Sequence, residues 1–136
     1  MIMSMNDLDS MPLPQGDLAL QVIAMPKDTN ADGDIYGGWL LQQMDLAGGA
    51  AAREVARGRV ATVAVTGMSF LTPVHMGAVV SCYADVLEVG RTSIRIVVEV
   101  WISSQHDGEP IKVTEGVFVF VAIDSNGRTR QIDQGD

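Results

Sequence analysis

The spacing of apolar residues divides the chain into one helix-like segment and several strand-like segments. Over residues 38–57 apolar side chains recur every three or four positions, which is the spacing of an amphipathic helix. The residue types in this segment also favour helix. Gly58 follows it as a typical C-cap, and Arg53 and Arg57 suit the negative end of the helix dipole. We therefore predict one long helix that begins near Gly38 and stops at Gly58.

The segments before and after this helix alternate apolar and polar residues, which is typical of strands packed on one face. The predicted strands are residues 17–25, 60–70, 78–89, 92–103 and 113–123. Short turn-like breaks between the later strands favour antiparallel neighbours. The order β-α-β-β-β-β predicts an α+β fold, in which one long central helix is wrapped by a curved antiparallel β-sheet of about five strands.

The middle of the helix, residues 46–52, consists of Leu, Gly and Ala. A helix that is apolar nearly all round is expected to be buried nearly all round. Gly48 and Gly49 each cost about 1 kcal/mol relative to Ala in a helix interior. We interpret the pair either as packing contacts, where another backbone comes very close, or as a site that needs empty space.

Composition limits the class of protein. The chain has 136 residues, which fits one domain over residues 16–132 after a flexible N-terminal tail over residues 1–15. The formal net charge of −8 argues against a general nucleic-acid partner. The longest wholly apolar run, residues 117–123, is too short to cross a membrane, and we recognise no secretory signal, so we predict a cytoplasmic protein.

Metal and nucleophile sites find little support in the sequence. The series Asp28-x-Asn30-x-Asp32-Gly33 matches half of a calcium loop, but Trp39 stands where a bidentate Glu is required. One Cys and two His are too few for a zinc site of the usual composition, so we predict no metal. We expect Cys82 to be a buried, inert thiol, and His75 and His106 to have surface or structural roles.

Asp45 is the first candidate catalytic residue. It is a carboxylate on a helix that is otherwise nearly all apolar past its first turn. Burial there would raise its pKa toward the range that suits a general base. The alternative is an Asp at the helix surface that faces solvent.

The second candidate is the glycine pair Gly37-Gly38 at the helix start. The first turn of a helix has unpaired N–H groups and a partial positive charge, and glycine leaves these groups unshielded. A carbonyl oxygen could bind there as in an oxyanion hole. The alternative is that the glycines only make the turn into the helix. Asp45 lies roughly 10–12 Å farther along the helix than these glycines. A donor and a base from different subunits would therefore reach the two ends of one reacting bond more easily.

Three strings of the sequence resemble the YciA-type acyl-CoA thioesterases of the hot-dog fold superfamily. They are PQGDLALQVIAMPKDTNADGDIYGGWLLQQMD, then GRV with TVAVTGMSFLTPV, and EVWISS. The resemblance implies a helix wrapped by an antiparallel sheet, a dimer as the minimal unit and commonly a trimer of dimers. It also implies hydrolysis of acyl-coenzyme A, with coenzyme A as part of the substrate and no separate cofactor.

The resemblance also assigns roles to residues. Asp45 matches the catalytic acid, Asn30 matches a loop residue that positions the thioester or water across the dimer interface, and Gly38 matches the backbone donor to the carbonyl. Pantetheine is expected in a tunnel between subunits, with Gly37 at the substrate. The nucleotide phosphates are expected near Arg59, Arg91, Thr92 and Ser93.

The prediction is therefore an acyl-CoA thioester hydrolase. Asp45 acts as general base on water or as a nucleophile that forms a mixed anhydride, and the sequence leaves both open. A hydratase or dehydratase of this fold relies on a His near the helix start, and residues 1–74 contain none. A non-catalytic acyl-CoA binding or sensor module is the alternative from another class. Acyl chain length and the physiological substrate are not predicted.

Overall fold

Five β-strands and one long α-helix form the regular structure of the computed structural model, which describes residues 13–103 and 108–133. The elements in chain order are β1 (Asp17–Ile23), α1 (Gly37–Ala56), β2 (Val60–Thr66), β3 (Val79–Val89), β4 (Ser93–Ser103) and β5 (Ile111–Ala122). A single 3-10 turn, Pro26–Asp28, follows β1. The predicted element order is confirmed. Most of the predicted tail and His106 lie outside the described residues.

The strands form one antiparallel sheet in the order β1-β3-β4-β5-β2. The two strands nearest the helix in sequence, β1 and β2, are therefore the edges of the sheet. Each of the four strand pairings contains a register shift, and such bulges increase the local twist and bend of a sheet.

The helix α1 lies across the sheet and contacts all five strands. Met44 is fully buried at the centre of this contact. At Gly48 an added Cβ would lie 3.1 Å from both Val98 Cγ2 and Phe120 Cζ, whereas at Gly49 the nearest such atom, in Phe120, is 3.7 Å away. Gly48 is therefore a packing residue, but the close neighbours are side chains and not the backbone that the sequence suggested.

The C-terminal end of α1 differs from the prediction. The helix ends at Ala56, and the residue in the left-handed conformation after it is Arg57, with φ of 56°. Gly58 has no positive φ, but an added Cβ there would lie 2.8 Å from Arg130 Nη2. An added Cβ at position 58 would thus displace a guanidinium, whereas the backbone conformation there is not unusual.

The second strand is shorter than predicted. It ends at Thr66 and not at residue 70, because Gly67 has a φ of 73° and turns the chain out of the sheet. Residues 67–71 therefore run as an irregular segment from the edge strand past the start of α1.

The prediction that α1 is buried nearly all round is wrong for the single chain. Leu41 is 38% exposed and Leu46 is 55% exposed, and Ala50 is also exposed. A helix on one sheet can bury only the face that contacts the sheet, so the apolar far face remains uncovered in the protomer. Within the described residues, no helix has the length and apolar character to cross a lipid bilayer.

The predicted burial of Cys82 is confirmed. The residue has 0% exposure in the middle of β3, and burial raises the pKa of its thiol to about 12. A thiol that stays protonated and has no access to solvent is a poor nucleophile.

Candidate active site

Asp45 lies on the side of α1 that faces the edge strand β2. Its side chain is half-buried, and its Oδ1 accepts a hydrogen bond of 2.6 Å from the hydroxyl of Thr62. Thr62 is the third residue of β2, and the other residues of this strand before Thr66 are all Val or Ala. The contact fixes one carboxylate oxygen and leaves Oδ2 without a hydrogen bond from the described residues. Sequence reasoning missed Thr62, although a hydroxyl on an apolar strand was a signal.

A pocket of about 340 Å³ opens between this side of α1 and the sheet. It is lined by Gly38, Leu41, Gln42, Asp45, Thr62, Val65 and Phe118. The structure places two predicted site residues, Asp45 and Gly38, about two helical turns apart along one pocket of a single chain. That the donor and the base of one site come from different subunits stays a prediction. Leu41, Val65 and Phe118 supply apolar walls, so the pocket suits an apolar group that carries one polar reacting centre.

The helix start supplies hydrogen-bond donors at the pocket. Trp39 and Leu40 donate their N–H groups to the carbonyl of Tyr36, whereas the N–H groups of Gly37 and Gly38 have no partner among the described residues. Tyr36 is the N-cap and gives no side-chain cap. Such free donors at the positive end of a helix stabilise a developing oxyanion.

Asn30 is held in the loop before α1 and does not line this pocket. Its Oδ1 accepts hydrogen bonds from the N–H groups of Asp32, at 2.9 Å, and Asp34, at 3.1 Å. The residue is exposed, and its Nδ2 donates no hydrogen bond within the described residues. Its side chain shapes the loop, and the predicted role toward a substrate bound across an interface stays a prediction.

Arg59 and Arg91 lie on opposite sides of the end of β5. The N–H of Ile123 donates to the carbonyl of Arg59 at 3.0 Å, and the N–H of Ala122 donates to the carbonyl of Thr92 at 2.8 Å. Both arginines are exposed. Nη1 of Arg59 lies 3.3 Å from the carbonyl of Asp124. The two segments therefore flank one strand end, and their predicted role at the nucleotide phosphates stays a prediction.

The turn before β4 completes this end of the molecule. The N–H of Gly90 donates to the carbonyl of Ser93 at 2.8 Å, and the N–H of Ile132 donates to the carbonyl of Arg91 at 2.7 Å. The turn that contains Thr92 is thus closed by its own backbone. Arg91 and Thr92 form this turn, and Ser93 is the first residue of β4.

Arg130 has a structural contact that the sequence did not reveal. Its Nη2 donates to the carbonyl of Ala56, the last residue of α1, at 2.7 Å, and its Nε donates to the carbonyl of Ile123 at 3.2 Å. A cation at the carbonyl end of a helix offsets the negative end of the dipole. This guanidinium therefore caps the helix and is not a free charge.

A larger hollow of about 710 Å³ lies on the opposite face of the sheet. Its buried carboxylate is already paired, since Glu99 accepts from the N–H of Gln15 at 2.9 Å and lies 3.2 Å from Lys112 Nζ. The smaller pocket at Asp45 is the better candidate site because its carboxylate and its backbone donors have unused hydrogen-bonding capacity.

Metal ligation has no support in the described part of the chain, where no group of three or more His, Cys, Asp or Glu side chains could hold an ion. His75 lies 3.6 Å from Asp34, and both side chains are more than half exposed. This contact agrees with the predicted surface role of His75.

Comparison with known proteins identifies the family. The model of the thioesterase superfamily matches residues 32–109. An uncharacterised acyl-CoA thioester hydrolase of Haemophilus influenzae is 54% identical over 121 residues, which span 87% of this chain and 79% of that protein. The acyl-CoA thioester hydrolase YciA of Escherichia coli is 51% identical over 123 residues, 88% of this chain and 93% of YciA.

Solved structures agree with the sequence comparison. The hexameric broad-specificity acyl-coenzyme A thioesterase HI0827 superposes with a TM-score of 0.87 at 51% identity, covering 92% of this chain and 86% of that one. The hexameric thioesterase y2039 of Yersinia pestis superposes with a TM-score of 0.86 at 50% identity, covering 90% and 100%. The predicted hot-dog architecture is confirmed, and the chain belongs to the thioesterase superfamily, among the YciA-type acyl-CoA thioester hydrolases.

Proposed function

We propose that this protein hydrolyses the thioester of acyl-coenzyme A to a carboxylic acid and free coenzyme A. One observation carries the proposal: the carboxylate of Asp45, fixed by Thr62 at 2.6 Å, shares an apolar pocket with Gly38 at the start of α1. A general base and an oxyanion site are the two groups that acyl transfer to water requires. The names of the relatives agree with this reaction.

In the proposed reaction the thioester carbonyl oxygen accepts a hydrogen bond from the N–H of Gly38. Asp45 takes a proton from water as the water oxygen bonds to the carbonyl carbon. When the tetrahedral intermediate collapses, the carbon–sulfur bond breaks and the coenzyme A thiolate takes the proton from Asp45. In the alternative, Asp45 attacks the carbonyl carbon itself, and water then hydrolyses the mixed anhydride. Neither route requires a metal ion or a separate cofactor.

The substrate is proposed to extend from this pocket toward the arginines at the end of β5. The chain carries a net charge of −8, so anionic phosphates need a local positive region. Cationic and hydroxyl donors there come from Arg59, Arg91, Thr92 and Ser93, the first residue of β4. Asn30 is proposed to reach the thioester or the attacking water of a neighbouring copy, because it does not line the pocket of its own chain.

A homo-oligomer, with a dimer as its minimal unit and a trimer of dimers as the full assembly, is part of the proposal. The strand β2 is an edge of the sheet, and its Val63 and Val65 are 57% and 38% exposed. Val65 lines a pocket together with the partly exposed Leu41 of α1. An open strand edge beside an apolar surface favours association. The related thioesterases HI0827 and y2039 are hexameric.

The test is thiol release from a panel of acyl-CoAs of increasing chain length, followed with a chromogenic thiol reagent. The Asp45→Asn variant, purified in the same way, controls for contaminating thioesterases. We expect the wild-type protein to release coenzyme A with multiple turnovers and the variant to release little. Saturable acyl-CoA binding without thiol release from any substrate would instead identify a non-catalytic binding module.

A further inference from the structure

The aromatic ring of Phe70 lies against the first residue of α1. A Cβ atom added to Gly37 would lie 3.3 Å from Cζ and 3.4 Å from Cε2 of this ring. Both distances are shorter than an optimal carbon–carbon contact, so glycine at this position allows the ring to lie there. Gly37 directly precedes Gly38, which supplies the proposed oxyanion donor. The ring therefore lies next to the helix start that carries the proposed donor.

The backbone on both sides of Phe70 is fixed to β5. The N–H of Leu71 donates to the carbonyl of Val113 at 2.8 Å. The hydroxyl of Thr114, which is fully buried, donates to the carbonyl of Ser69 at 2.5 Å. Because the residues directly before and after Phe70 are held, the backbone at Phe70 has a defined position although the segment is irregular.

A third contact fixes the start of this segment. An added Cβ at Gly116 of β5 would lie 2.7 Å from Met68 Sδ, so the methionine occupies the space above that glycine. Phe70 itself is 50% exposed. A ring that only completed the core would be buried, whereas this one is held in place with half of its surface available for contact.

We propose that Phe70 is a specificity-determining residue, whose ring is the wall that the acyl group contacts next to the thioester carbonyl. This inference rests on the proposed thioesterase function. Gly37 is the helix residue directly before the proposed donor, and the ring lies against Gly37, so an acyl group that extends from the carbonyl toward the start of α1 would meet the ring. Contact with an aromatic surface stabilises a bound apolar acyl group more than it stabilises the amide-containing pantetheine arm.

The expected consequence is discrimination against bulk at the carbon next to the carbonyl. A branch at that carbon would press on the fixed ring, whereas a straight chain would lie along it. Phe70 therefore limits α-branched acyl groups more than straight chains of the same carbon number.

The test measures kcat and KM for butyryl-CoA and isobutyryl-CoA with wild type, Phe70→Ala and the milder Phe70→Leu. We expect Phe70→Ala to raise the isobutyryl-to-butyryl ratio of kcat/KM by about tenfold or more, the discrimination typical of a methylene-sized contact. Leu71→Ala is the matched control, because Leu71 is the next residue, is 69% exposed and keeps its backbone hydrogen bond. It should leave the ratio unchanged. If Phe70→Ala does not fold, Phe70→Leu should change the ratio in the same direction.

Several results would overturn the inference. An unchanged ratio in a folded, active Phe70 variant would show that the ring does not contact the acyl group. An equal rise in KM for both substrates would place the ring at the pantetheine arm. Loss of the oligomer in Phe70→Ala, seen by light scattering, would make the ring a contact between subunits. If the wild type hydrolyses no acyl-CoA, the proposed function itself is wrong. The results on active variants would contradict only the role of Phe70.

Discussion

Two side chains from different elements, Asp45 on α1 and Thr62 on β2, form the central polar contact of the proposed site. Asp45 was predictable because its own helix neighbours are apolar, so a carboxylate among them needs an explanation. The contact of Thr62 with Asp45 was not predictable in the same way, because it depends on which strand lies beside the helix. Sheet order is set by pairings between distant segments, and local spacing does not encode it.

Replacement of Thr62 by Val removes the hydroxyl and keeps the shape of the side chain. We expect kcat to fall by about tenfold, because a hydrogen bond to a charged group contributes about 1.5–3 kcal/mol and its loss frees the carboxylate to rotate. KM should change less than kcat. The Thr62→Ser variant keeps the hydroxyl and should recover most of the rate. Equal kcat values for Thr62→Val and wild type would show that the contact does not position Asp45.

At the scale of elements, the ends of α1 show where sequence reasoning succeeded and where it failed. The spacing of apolar residues predicted the helix to within one residue at each end, because burial on one face imposes that spacing. The termination mechanism was wrong, because Arg57 adopts the left-handed conformation and Gly58 makes room for Arg130. Position 130 is far from the helix in sequence, and only the folded chain brings it to Ala56.

Two substitutions at this helix end should change stability in opposite directions. Arg57→Gly relieves the left-handed strain and should raise the free energy of unfolding by up to about 1 kcal/mol. Gly58→Ala puts a Cβ on the Arg130 guanidinium and should lower it by about 1–2 kcal/mol, through the weakened hydrogen bond to the helix end. Urea unfolding measures both. A Gly58→Ala protein as stable as wild type would show that the guanidinium shifts aside and keeps its hydrogen bond, so that position 58 does not need glycine.

The outer face of the sheet carries a second polar element, a cluster around Glu99 of β4. Glu99 is 3% exposed, and its Oε1 also lies 3.3 Å from the indole nitrogen of Trp101. Lys112 contacts both Glu99 and Glu115. The hydrogen bond to Glu115, with a further one to Glu99, raises the pKa of Lys112 above its ordinary 10.5 against the opposing effect of burial.

The stabilising effect of Lys112 should depend on pH. Because the pKa of this ammonium is higher in the folded than in the unfolded state, its contribution is complete below the ordinary value and is lost as pH rises through the folded value. The wild type should therefore exceed Lys112→Met in the free energy of unfolding at pH 8, and by less at pH 11. Urea unfolding at both pH values measures this. A difference that does not shrink at high pH would mean that Lys112 acts by packing.

At the scale of the whole molecule, charge and exposed apolar surface are both distributed unevenly. The chain is acidic overall, yet Arg59 and Arg91 flank one strand end. The apolar far face of α1 and the edge strand β2 stay uncovered in the protomer. The sequence predicted an oligomer because one helix cannot cover both faces of a sheet. It could not predict which residues stay exposed, because that depends on the packing of α1.

The two arginines should act in binding and not in the chemical step. We expect Arg59→Ala and Arg91→Ala each to weaken coenzyme A binding by about tenfold, as loss of a charge-assisted contact would. Their effect should shrink at high salt. Arg95→Ala is the matched control, because Arg95 lies on β4 and its Nη1 is 3.5 Å from Oε2 of Glu88 on β3. Calorimetric titration with coenzyme A gives the affinities, and an affinity equal to wild type in either variant would refute the assignment of that residue.

The central claim is that the carboxylate of Asp45 performs the chemistry and is not needed for binding. The most direct measurement compares substrate affinity and turnover on one preparation of the Asp45→Asn protein, which keeps the side-chain shape and removes the base. The account predicts acyl-CoA affinity within about threefold of wild type and a kcat lower by about 10²–10⁴-fold. A folded Asp45→Asn protein that releases coenzyme A at the wild-type rate would contradict it.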